Sequence, residues 1–202
     1  MSRTPGPTHA TPLGNDGWYQ FSGHCPTPNF GPRPTGTTIS LIVIHSISLP
    51  PGQFGGNEVE QLFTNQLDWN AHPYFKNIEG LKVSSHFYIR RQGELQQFVS
   101  CNNRAWHAGT SSYLGRSNCN DFSIGIELEG LEGDGFEACQ YETLESLCAA
   151  LLQNYPIAHL AGHEHIAPDR KNDPGVGFDW PLMQKSLGLP NRYFPKMLVP
   201  SN

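Results

Sequence analysis

The chain has 202 residues, enough for one full-sized domain, with 37% hydrophobic and only 15% charged residues and with 21 glycines and 17 prolines making up the difference. That composition predicts a loop-rich fold around a modest core. A net charge of -5, from 13 basic and 18 acidic side chains, excludes a nucleic-acid footprint, and no apolar run approaches the roughly 18 residues of a membrane span.

Residues 1–37 are rich in proline and glycine without sustained periodicity and read as an irregular arm, packed through Trp18, Tyr19 and Phe21. Its first fifteen residues are polar and hold no apolar export signal. Cys25, Cys101, Cys119, Cys139 and Cys148 form no C-x-x-C pair. Together these features predict reduced thiols and a cytoplasmic protein. The first strand is expected at 38–45 (TISLIVIH), nearly all apolar and therefore central in a sheet. A short helix follows at 57–64, with Asn57 and Glu60 spaced as a capping box. Residues 83–90 and 95–99 around Gln92-Gly93 read as a β-hairpin. In the strand 123–128, Ile124, Ile126 and Leu128 face one side while Ser123, Gly125 and Glu127 face the other. Residues 137–154 carry the clearest helical stripe, a strand is expected at 157–161, and a last helix spans 180–187 with Asp179 as N-cap. This order predicts an α/β fold, a mixed β-sheet flanked by α-helices.

Nine histidines are many for this length. His45 closes the first apolar strand, His163 follows the last one, and Asp173 lies in the proline-flanked loop beyond. The ends of strands and the loops after them are where such sheets carry functional groups. Two imidazoles and one carboxylate, with a fourth position left for water, compose a hydrolytic zinc site. Taken singly, a histidine at a strand end is more often structural or merely exposed than a metal ligand. Glu127 sits on the polar side of a buried strand, where a carboxylate must be paired, protonated or beside a metal. A salt bridge and a catalytic role both remain open for it, and Glu129 shares its face. Lys171, in the same loop as Asp173, reads from the residues alone as an ordinary solvated lysine.

Six collinear strings, VIHSISLPPGQFGG (43–56), NAHPYF (70–75), SSHFYIRRQGELQQFV (84–99), RAWHAG (104–109), CNDFSIGIELEG (119–130) and GHEHIAPDRKNDPG (162–175), closely resemble the AmpD family. That family comprises cytoplasmic 1,6-anhydro-N-acetylmuramyl-L-alanine amidases among the zinc-dependent type 2 amidases, which share their fold with peptidoglycan-recognition proteins. The resemblance implies a zinc amidase domain at 38–188 between the arm of 1–37 and a tail of 189–202. It implies one zinc per chain, held by His45, His163 and Asp173, with Glu127 as general base and Lys171 facing the developing oxyanion. His165 in the HEH triplet, taken as lying on the same strand face as His163, offers a rival ligand. Ser46 stands where related sequences commonly carry Asn. Ser46, Tyr74, Trp106 and His107 are implied to face substrate, and Lys82 and Arg116 to pair with stem-peptide carboxylates. Packing or surface charge remains open for these residues.

The implied reaction is hydrolysis of the amide between the lactyl group of the anhydro sugar and L-alanine. Glu127 would take a proton from the attacking water and return it to the leaving amine. The acid limb of kcat/KM would then report Glu127, and replacing Lys171 would leave that limb unchanged. The expected partner is a small-molecule muropeptide, with no nucleic acid and no membrane, and the expected state is a monomer. Two other functions stay open: an amidase acting on intact peptidoglycan, and a non-catalytic recognition module.

Overall fold

The computed structural model describes residues 12–195; residues 1–11 and 196–202, the outer parts of the expected arm and tail, lie outside them. In chain order the described residues form β1 (Gly23–His24), β2 (Phe30–Pro32), β3 (Leu41–Ile47), α1 (Glu58–Phe63), β4 (Phe87–Ile89), β5 (Leu95–Gln97), β6 (Asn103–Ala105), β7 (Ser112–Tyr113), β8 (Arg116–Ser117), β9 (Ser123–Glu129), α2 (Ala138–Asn154), β10 (His159–Gly162), α3 (His163–Ile166) and α4 (Trp180–Leu187). Short 3₁₀ turns intervene at Pro73–Ile78, Cys119–Asp121 and Asn191–Tyr193. The main sheet runs β1-β5-β4-β9-β3-β10, and β4–β5 is its one antiparallel pair. It is the mixed α/β sheet that the alternation of elements predicts.

The first strand starts and ends later than its apolar run. Its ladder with β9 pairs Ile44 with Ile126 and His45 with Glu127, then continues through Ile47 and Glu129. His45 is thus internal to β3 rather than its last residue, because parallel pairing carries the strand past it. Every residue of β9 is buried, so the face that carries Glu127 is covered, not solvated. The opposite face, with Ile42, Ile44, Ile124, Ile126 and Leu128, meets Leu144, Leu147, Cys148 and Leu151 of α2 and Met183 of α4 in the principal core. Each fully buried Leu or Ile there contributes about 1.5–3 kcal/mol. The main chain at Glu137 donates to Gln140 Oε1 at 3.0 Å, and α2 stops before Pro156, which holds Tyr155 extended. Asp179 accepts from the Leu182 amide at 2.8 Å and caps α4, which ends on Gly188 in the left-handed region at φ 62°.

The capping box expected at α1 is absent. Asn57 makes no side-chain cap bond; its Oδ1 accepts from Arg90 at 3.0 Å, and Glu60 is ion-paired to the same guanidinium. The irregular arm expected over 1–37 is also corrected within its described part. There β1 extends the sheet edge, β2 pairs with β6, and Leu13 and Tyr19 join the core while Phe21 stays exposed. Arg33 anchors the segment by donating to the carbonyls of Cys101, Asn120, Asp121 and Ser123. In the tail, Phe194 is buried against Trp180. All five cysteines are free thiols. Among the described residues, no helix is long and apolar enough to cross a membrane.

Candidate metal centre

Parallel strands aim their C-terminal ends at one side of the sheet. Near that edge β3 carries His45, β9 carries its register partner Glu127, and α3 begins with His163 directly after β10. The 167–179 loop brings Asp173 back over them. Its carbonyl accepts from the Glu164 amide at 2.9 Å, which ties the loop to α3. His45 Nδ1 lies 3.0 Å from His163 Nδ1, and Asp173 Oδ2 lies 3.2 Å from each of these nitrogens. All three residues are buried.

The partners of the outer nitrogens bear on which ring nitrogen carries the hydrogen. His163 Nε2 is 3.2 Å from the Ala108 carbonyl, which can only accept, and 3.5 Å from the Arg170 guanidinium, which can only donate; donation to the nearer carbonyl leaves Nδ1 with a lone pair. His45 Nε2 lies 2.9 Å from His107 Nδ1, and His107 Nε2 lies 3.0 Å from Ser123 Oγ. Ser123 Oγ in turn donates to the Cys119 carbonyl at 2.6 Å. Burial, then the neighbouring His163, pushes His45 down to about 4, and burial foremost holds His107 well below the ordinary histidine value. Both rings are therefore neutral at neutral pH. His45 Nδ1, His163 Nδ1 and Asp173 Oδ2 converge within 4.8 Å of one another, an arrangement that a cation stabilises. Donors about 2 Å from a tetrahedral ion stand about 3.3 Å apart, close to the spacing here. The residues fit a metal ion.

Glu127 borders the triad, with Oε1 3.9 Å from His45 Nδ1. Its other oxygen, Oε2, is buried and has no hydrogen-bond partner among the described residues. Burial, reinforced by the Asp173 charge, raises the Glu127 carboxyl well above the usual carboxylate range, while the Lys171 ammonium acts in the opposite direction. Glu129, on the same face, is committed to structure: its oxygens accept from the backbone amides of Gly55 and Arg91. The two carboxylates that the sequence leaves on one face are thus different chemically. Beside the triad opens a cavity of about 530 Å³, lined by polar Ser46, Glu127 and Lys171 and by apolar Leu62, Phe63 and Val83.

The family profile described as N-acetylmuramoyl-L-alanine amidase matches residues 35–176. The chain belongs to this amidase family. Over 168 residues it is 50% identical to the 1,6-anhydro-N-acetylmuramyl-L-alanine amidase AmpD of Citrobacter freundii, covering 82% of this chain and 90% of that protein. The crystal structure of a selenomethionine AmpD derivative, 49% identical, superposes with a TM-score of 0.84 over 87% of this chain and 99% of that one. AmiD from E. coli, in a complex with anhydro-N-acetylmuramic acid-L-Ala-D-gamma-Glu-L-Lys, is 26% identical with a TM-score of 0.54, covering 76% of this chain and 60% of that one.

In this amidase His165 is not part of the triad. Residues 163–166 are helical rather than extended, which turns His165 away from His163; its Nδ1 accepts from the Gly162 amide at 2.9 Å and its ring stacks edge-on against Trp180. Ser46, Tyr74, Trp106 and His107 line the cavity, as does Lys171. Lys82 is exposed and does not line it, although Leu81 and Val83 do. Arg116 lies outside the residues that line the cavity. Its guanidinium covers the Phe122 ring at 3.8 Å and donates to Ser40 Oγ at 3.0 Å, beside the start of β3 rather than the His45 end. Sequence reasoning passed over Arg170 and Asn120. Arg170 donates to the carbonyls of Ala108 and Thr110, and Asn120 Oδ1 accepts from the amides of His107 and Ala108. Both act on main chain brought close only by folding, and no spacing signals that.

Proposed function

We propose that this amidase acts in peptidoglycan recycling, hydrolysing the amide between the lactyl group of 1,6-anhydro-N-acetylmuramic acid and the L-alanine of the stem peptide. We further propose zinc as the metal, one ion per chain. The observation that carries the reading is the buried triad of lone-pair donors bordered by a Glu127 oxygen with no partner among the described residues. Half identity to an anhydro-muropeptide amidase over most of both chains supports the substrate. Two imidazoles with one carboxylate support zinc, since such N/O sets with an open position are those of hydrolytic zinc sites. The reading carries with it a monomeric, cytoplasmic enzyme whose partner is a small muropeptide.

His45, His163 and Asp173 would hold the ion. When bound, zinc supplies Lewis acidity to a water and to the amide carbonyl. Glu127 accepts the proton of the attacking water at Oε2, for which burial has raised its basicity. The Lys171 ammonium, from the cavity wall, opposes the negative charge that grows on the carbonyl oxygen. Glu127 then passes its proton to the alanine nitrogen, so the peptide leaves as a neutral amine. The apolar lining excludes water from the remaining face and orients the sugar–peptide junction.

The discriminating experiment compares peptide release from an anhydro-muropeptide, from the same muropeptide with a reducing-end sugar, and from intact sacculi. A preference of at least about tenfold for the anhydro sugar is expected, the discrimination that a single specific interaction in a pocket supplies. Equal rates on the two soluble substrates would remove the recycling assignment while leaving the amidase chemistry. Faster release from sacculi would favour an enzyme of the intact wall, and no release from any substrate would favour a recognition module.

A further inference from the structure

His107 lines the cavity, yet both of its ring nitrogens are engaged within the protein. Nδ1 faces His45 Nε2 at 2.9 Å and Nε2 faces Ser123 Oγ at 3.0 Å. The Ser123 hydroxyl has one hydrogen, and the Cys119 carbonyl takes it at 2.6 Å. Ser123 Oγ can therefore only accept from His107, His107 Nδ1 can only accept from His45, and His45 Nδ1 is left as the bare lone pair that points into the triad. The ring has a seat made for it. A Cβ at Gly125 would lie 2.5 Å from His107 Cγ, so β9 carries no side chain where the imidazole rests. Asn120 Oδ1 fixes the main chain on either side, accepting from the amides of His107 at 3.1 Å and Ala108 at 2.8 Å. The same short stretch presents the Ala108 carbonyl to His163 Nε2.

We propose that Ser123 and His107 form a two-link relay that sets the proton position on His45, which makes His107 a positioning residue for a metal ligand rather than a wall for substrate. This rests on the zinc reading above. A metal-bound histidine is held in one tautomer by the partner of its other nitrogen, and losing that partner weakens metal binding. Without the Ser123 hydroxyl, the buried His107 Nε2–H has no acceptor. Its proton then favours Nδ1, from which it is donated to His45 Nε2 and forces the His45 hydrogen onto the ligand atom. Ser123 thereby acts on the metal through two hydrogen bonds.

The test uses the full chain as Ser123→Ala, His107→Ala and Gly125→Ala. Zinc affinity is measured by chelator competition, and the His45 tautomer of the zinc-free protein by ¹⁵N chemical shifts of the ring. Ser123→Ala, the smallest change, is expected to bind zinc about tenfold more weakly and to lose the single Nε2–H tautomer of His45. His107→Ala is expected to weaken binding toward about a hundredfold, and Gly125→Ala, which displaces the ring, to fall between them. If His107→Ala fails to fold, Ser123→Ala decides alone. Unchanged zinc affinity together with an unchanged His45 tautomer in Ser123→Ala would overturn the relay. A wild-type chain that binds no zinc would instead overturn the zinc reading, and the tautomer measurement on zinc-free protein would still decide the relay.

Discussion

Glu127→Gln is expected to fold, to keep its metal and to turn over about 10²–10⁴-fold more slowly, the loss usual for a missing general base. The substitution keeps the shape of a side chain whose Oε2 makes no hydrogen bond among the described residues, so none of them loses a partner. The loss falls on kcat, because the group acts on a proton that moves in the transition state. Glu129→Ala is a contrast of a different kind: it strands the amides of Gly55 and Arg91 and should lower stability. Lys171→Met is expected to cost about 10²–10³-fold, again in kcat. Its pH profile differs from the sequence expectation. The Lys171 ammonium lowers the Glu127 carboxyl, so removing it raises that pKa. A base works only when unprotonated, so the acid limb of kcat/KM should move to higher pH in Lys171→Met, and Glu127→Gln should lose the part of it that Glu127 contributes. Pre-steady-state turnover, metal content and pH–rate profiles on the three variants check these outcomes.

Removing the metal is expected to have the largest effect. Dialysis against a chelator should abolish measurable turnover, and added zinc should restore it. His45→Ala, His163→Ala and Asp173→Ala should each lose most of the bound metal, because a site with only three protein donors has none to spare. His165→Ala should retain it, since that ring contacts Gly162 and Trp180 rather than the triad. Metal analysis of the four purified variants distinguishes the ligand sets. Loss of metal in His165→Ala with retention in His163→Ala would reverse the assignment.

The parts of this molecule legible in the sequence are those governed by local chemistry. The apolar run of β3, the alternation in β9, the stripe of α2 and the Asp179 cap each state a hydrogen-bonding or burial pattern within a few residues. His45, His163 and Asp173 were legible as ligand types near strand ends, and the family motifs joined them. What was not legible depends on long-range contact. Nothing local shows that Arg90 draws Asn57 and Glu60 away from a helix cap, or that Gly23–His24 pairs with β5 far along the chain. The helical turn at 163–166 is too short for periodicity to mark, so His165 read as a neighbour of His163 on one face. Arg116 has the charge to bind a carboxylate, and only the fold shows it stacked on Phe122. The choice between Glu127 and Glu129 also needed the fold, because it rests on which backbone amides reach each carboxylate.

The most direct measurement is turnover of an anhydro-muropeptide by the zinc-loaded enzyme in ¹⁸O-water, with both products weighed by mass spectrometry. Attack by water at the lactyl carbonyl, with Glu127 taking its proton, predicts one ¹⁸O in the lactyl carboxylate of the anhydro sugar and none in the stem peptide, which emerges with a free alanine amine. Label in the peptide, or release of a sugar fragment without its lactyl group, would contradict the account.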